Sequence, residues 1–155
     1  MQKRASLRRR PRSKGELLPL PAEQVRRLSL KHHLALAALR DGRGDVGEIV
    51  TLSNVLDLAF YLRVDQDTEL YCRAEAAINQ CVARAERGEP WTLTCAERVA
   101  LEALLIHHDH QLAKVLVHHY LDALERAQHA DVRGAVADSV GRIADFELAV
   151  RRRRN

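Results

Sequence analysis

Apolar residues in this chain recur at steps of three and four, and that spacing leaves helices as the only regular structure open to most of it. Strand-type alternation and internal repeats are absent, and the helical stretches are separated by Gly and Pro. Val25, Leu28, His32, Leu36 and Leu39 mark one stripe of a first helix starting near Ala22. The entry before it, Leu17-Leu18-Pro19-Leu20-Pro21, cannot be helical through its prolines. It is expected as an extended strap with its leucines over the core. Arg40-Asp41-Gly42-Arg43-Gly44 ends the first helix, and Asp45 is the expected N-cap of a second that runs to about Arg63. Val46, Ile49, Leu52, Val55, Leu56, Leu58, Ala59 and Leu62 cover nearly its whole circumference. Such a helix is buried at the centre of a domain or shared with a second subunit. Its polar residues, Asn54, Asp57 and Tyr61, fall on one narrow strip, expected as a solvent-facing edge.

A third helix is expected over 68–87, capped from Asp65-Gln66-Asp67, with Leu70, Ala74, Ala77, Ile78, Cys81, Val82 and Ala85 inward. Arg87-Gly88-Glu89-Pro90 stops it. Trp91 is expected to seal one end of the bundle, and Thr94-Cys95-Ala96-Glu97 reads as a capping box. A fourth stretch spans 95–128; unbroken it would be about 50 Å long, so a kink or break is expected near His108–Gln111. Val132, Val136, Val140, Ile143 and Phe146 outline a last helix over 131–150. The fold class is therefore all-α, an irregular antiparallel bundle of about five helices. At 155 residues the chain is one domain long enough for a real core.

Charge is split along the chain. Residues 1–15 hold Lys3, Arg4, Arg8, Arg9, Arg10, Arg12 and Lys14 with no acid, and Arg151, Arg152, Arg153 and Arg154 close the sequence. Within a net charge of +4, the helical domain at 16–150 is thus acidic between a disordered basic arm (1–15) and a basic tail (151–155). Cationic ends of this kind suit phosphate contact by counterion release, which is blind to base sequence. An acidic protein partner is the other candidate, and a basic arm on an acidic body could instead fold back on it or only aid solubility.

Eight histidines stand mostly in pairs. Helical geometry puts His107, His110, Lys114 and His118 on one polar stripe, with His108 and His119 toward the apolar side. His107 and His110 could hold one ion between them, but His118 sits about 16 Å further along a continuous helix, too far to join. A zinc site needs three or four converging ligands, so no metal is expected. Cys72, Cys81 and Cys95 are odd in number and match no metal or redox spacing, which reads as reduced thiols.

No Gly-rich phosphate loop or nucleophile elbow is present, so the sequence reads as non-enzymatic and without a cofactor. The Arg40–Asp45 turn has helix-turn-helix length, but the helix after it is too apolar to read a groove. No run of about 18 apolar residues suggests a membrane span, and the basic start has no apolar stretch behind it to make a signal peptide. A cytoplasmic protein is expected.

Arg9-Arg10-Pro11-Arg12-Ser13-Lys14-Gly15-Glu16-Leu17-Leu18-Pro19-Leu20-Pro21-Ala22, with Ser29-Leu30, His33-Leu34-Ala35-Leu36 and Leu39-Arg40 behind it, resembles a set of small proteobacterial proteins labelled as Fis-type (factor-for-inversion-stimulation) transcriptional regulators. The likeness is clearest over 9–45 and looser to about 125. It implies a bacterial cytoplasmic protein with a regulatory role, and it brings no catalytic residues. Together the expectations are a regulatory or accessory protein touching nucleic acid through its Arg-rich ends. The alternative is a protein-interaction module, a homodimer or an inhibitor docking on a larger complex.

Overall fold

The computed structural model describes residues 11–66 and 68–130. The arm at 1–10, Asp67, the helix expected over 131–150 and the tail at 151–155 lie outside the described residues. A 3₁₀ turn, Lys14–Leu17, leads into five helices: α1 Ala22–Arg40, α2 Val46–Leu62, α3 Glu69–Glu86, α4 Cys95–Lys114 and α5 Val117–Ala130. They pack as an all-α bundle with no strand among the described residues. None of these helices is long and apolar enough to cross a membrane.

Local chemistry sets most boundaries. Asp45 caps α2 by accepting from Gly47 N–H at 2.6 Å, while Glu48 reaches back to the Asp45 N–H at 2.7 Å. Thr94 and Glu97 make the same reciprocal box at the start of α4. α1 and α3 end at Gly42 and Gly88, whose φ angles of +69° and +85° strain any residue with a Cβ. Thr68 precedes α3 and makes no side-chain cap bond, and Asp67, one of the two Asp residues of the expected cap, lies outside the described residues.

α2 packs against α1, α3, α4 and α5. Its apolar circumference is thus satisfied within one chain and calls for no second subunit. Ile49, Leu52 and Val55 meet Leu39, Ile78, Leu101 and Leu104 in the main core, with Trp91 half-buried against it. At the start of α3 Tyr71 is buried, and Leu70 packs half-buried against the same core.

The break in the long fourth stretch falls at Val115–Leu116, later than its polar histidines suggested. Val115 is extended, at φ −69° and ψ 139°, in a Val-Leu-Val run whose β-branched members are at ease outside a helix. Residues 18–20 cross the gap. Leu20 N–H donates to Val115 O at 3.1 Å and Val117 N–H to Leu18 O at 2.8 Å, so backbone groups freed by the break are paired again. The strap expected from the prolines is therefore real, but only Leu20 is buried; Leu17 and Leu18 face outward. Leu20 joins Leu58, Leu112, Tyr120 and Ala123 in a second core that holds α5.

Candidate functional site

The C-terminal ends of α2 and α4 and the first turns of α5 meet around an open groove of about 560 Å³. Leu62, Val115, Leu116 and Ala123 supply apolar wall. Of the polar strip of α2, Tyr61 lines the groove, while Asn54 is exposed to solvent as expected. Arg63, His107, His110, Lys114, His119 and Arg126 bring basic side chains to the lining; Asp65 and Asp122 are its acids. The Arg63 guanidinium lies over the Phe60 ring, 3.6 Å from its centroid, and Nη1–H donates to Phe60 O at 2.7 Å. The Tyr71 hydroxyl is 3.1 Å from His107 Nε2, fixing that imidazole against α3.

Of the expected stripe, His107, His110 and Lys114 stand together on this groove. His118 does not. The break at Val115 shifts the phase of the following helix, so His118 is buried at 7% exposure and donates Nδ1–H to Glu16 O at 2.8 Å. His119, expected toward the core, is exposed and lines the groove instead. Arg63 and Arg126 were not singled out in the sequence, because nothing local ties them to α4. Among the described residues no three His, Cys, Asp or Glu side chains converge as metal ligands.

His108 sits at 0% exposure on the inner side of α4. Its Nδ1–H donates to Gln111 Oε1 at 3.0 Å, and Gln111 Nε2–H donates to Ala59 O at 3.0 Å. His32 of α1 stacks at a tilt beside it, ring centroids 5.5 Å apart. His32 Nδ1 and His108 Nε2 are buried without hydrogen-bond partners. Burial lowers the pKa of both, His32 to about 4, and keeps the two rings neutral. Just outside them, His33 Nε2–H donates to Asp109 Oδ2 at 2.8 Å.

No family model, no curated protein and no solved structure matches the chain.

Two of the expected nucleic-acid contacts are described. Arg12 lies 3.5 Å from Asp122, and Lys14 opens the 3₁₀ turn, exposed. Residues 12–17 are therefore seated on the bundle rather than part of a free arm. Ser13 and Glu16 form a capping box, and the Glu16 carbonyl takes the His118 bond. Arg4, Arg8, Arg9, Arg10 and Arg151, Arg152, Arg153, Arg154 lie outside the described residues. Asp122 and Arg126 form the wall between the groove and a second depression lined by Pro11, Arg12 and Glu16, so the root of the arm lies beside the groove.

Proposed function

We propose that the chain is a non-enzymatic regulatory or accessory protein of the bacterial cytoplasm that contacts nucleic acid through its Arg-rich termini. The observation that carries this is the confinement of Lys3, Arg4, Arg8, Arg9, Arg10, Arg12 and Lys14 to the first fifteen residues and Arg151–Arg154 to the last five. Support comes from the root of the arm. Pro11 and Arg12 are held beside Arg126, and Lys114 faces the adjoining groove, so the cationic run leaves the bundle next to further basic side chains. Contacts of this kind hold phosphates without reading bases, and each phosphate neutralised adds about 0.9 to the salt slope.

The test is a fluorescence-anisotropy titration of duplex DNA at 50 and 200 mM salt. It compares the full chain with a full-length variant carrying Gln at Arg8, Arg9, Arg10 and Arg151–Arg154. At least tenfold weaker binding and a shallower salt slope are expected. Equal binding by the two would defeat the reading.

A protein-interaction role is the second reading. It rests on Leu30 and Leu34 of α1, 61% and 59% exposed, and on Val99 and Ile106 of α4, 56% and 55% exposed. Sedimentation of the full chain at micromolar concentration decides whether those faces bring two copies together.

A further inference from the structure

We propose that the groove between α2, α4 and α5 is a binding site for a small amphipathic anion: an apolar body of acyl-chain or aryl size carrying one acidic group. This goes beyond nucleic-acid contact, because the site is a cleft with an apolar wall and not a charged surface.

Volume comes first. About 560 Å³ lies within the range of clefts that take small organic ligands, and is far more than a water or a simple ion needs. The wall comes next. Leu62, Val115, Leu116 and Ala123 offer an apolar lining, against which burial of ligand methylenes is favourable. A polar solute would forfeit that gain.

Charge then sets the sign of the ligand. Asp122 is paired with Arg12. Arg63 is committed to the Phe60 ring and carbonyl. Lys114 and Arg126 line the groove and take part in none of the ion pairs among the described residues. Two cations without carboxylate partners beside an apolar wall are complementary to an acidic headgroup on an apolar tail. The first turn of α5, at the positive end of its dipole, adds to the same preference through its place at Leu116 and His119. Asp65 is the one acid that opposes it, and Val64 beside it is 98% exposed, placing that corner at the mouth rather than at the wall.

The experiment is calorimetric titration of the full chain with decanoate, and in parallel with decanol and with acetate. Decanoate is expected to bind one to one in the micromolar range, at least tenfold tighter than either control, because only it satisfies both wall and rim. A full-length Lys114→Gln/Arg126→Gln variant, with its fold checked by far-UV circular dichroism and melting, is expected to lose at least tenfold in decanoate affinity. Both positions are exposed, so folding should be unaffected. Decanol binding as tightly as decanoate, decanoate binding unchanged in the variant, or no decanoate binding at millimolar concentration would each overturn the proposal. Should the variant melt early, Leu116→Glu in the full chain replaces it, an acid in the wall that must weaken decanoate and leave DNA titration by the termini unchanged. Retained decanoate affinity there refutes the site.

Discussion

Arg84 grips Glu97 with both arms of its guanidinium: Nη1 lies 2.6 Å from Oε1, and Nη2, which also donates to Thr92 O at 2.9 Å, takes Oε2. The carboxylate is 3% exposed and at the same time accepts the Thr94 N–H that starts α4. Burial pushes the Glu97 carboxyl up, but the bonds from Arg84 and Thr94 outweigh it and hold the pKa below the ordinary range.

Removing one partner strands the other. Arg84→Met leaves a buried carboxylate without its cation and is expected to lower stability by about 3–5 kcal/mol in urea denaturation. A loss under about 1 kcal/mol would show that water reaches Glu97. Because the folded pKa of Glu97 is depressed, its contribution is present above the ordinary carboxylate pKa and fades as pH falls through the lower, folded value.

The His32–His108 pair predicts a separate acid step at higher pH. Burial is the main cause of the low His32 pKa, followed by the neighbouring His108; Asp109 works the other way, and Lys31 and His33 add to the lowering. For His108, burial outweighs the raising effects of Gln111 and Asp109. Unfolded histidine takes up a proton near pH 6.5, whereas folded His32 resists until about 4. Between those values the unfolded chain binds more protons, so stability is intact above about pH 6.5 and drains away toward pH 4. The loss from His32 is on the order of 3 kcal/mol. Melting temperature recorded from pH 7.5 to 4 checks it, and His32→Leu should flatten the fall. An unchanged profile in that variant would assign the acid sensitivity elsewhere.

Leu20 is the anchor of the strap, buried at 7% in the second core. Leu20→Ala is expected to cost about 2–4 kcal/mol and to free the crossing at Val115–Val117. Hydrogen exchange is the sensitive measure. Amides of α5 should exchange much faster in the variant, while those at the centre of α2 change less. Uniform acceleration across both would mean that α5 does not open as its own unit.

The three cysteines differ in reactivity for a structural reason. Cys81 is fully buried, and burial raises its thiol pKa to about 11, with Arg84 and Glu97 pulling in opposite directions. Its thiol donates to Thr92 O at 3.4 Å. Cys72 and Cys95 are exposed. An aromatic disulfide reagent at pH 8 should titrate two thiols in the native protein and the third only in denaturant. Three fast thiols would contradict the packing around Cys81.

What could be seen in the sequence was whatever a few neighbouring residues decide. The Asp45 cap, the Thr94–Glu97 box, the Gly42 and Gly88 stops and the inward faces of α1 and α3 are all set within one or two turns. The second helix was legible as central because its apolar residues leave only a narrow polar strip at Asn54, Asp57 and Tyr61. The break at Val115 was misplaced because no Pro or Gly marks it; the groups that stabilise it belong to Leu18 and Leu20. That one displacement explains the exchange of His118 and His119, since a helical wheel carried across a break goes out of phase. Half of the groove was readable for the same reason. His107, His110 and Lys114 share one helix, whereas Arg63 and Arg126 reach them only through packing.

Glu16 and His118 are bonded across 102 positions, and the backbone bridge between Pro19 and Leu116 lies beside them. During synthesis, then, residues 16–20 leave the ribosome about a hundred residues before the groups at 115–118 that they bond. Contacts so distant along the chain are slow to find. A nascent protein halted before α5 would lack Tyr120, Ala123 and Leu124 from the second core, leaving Leu20 and Leu58 less covered until α5 docks.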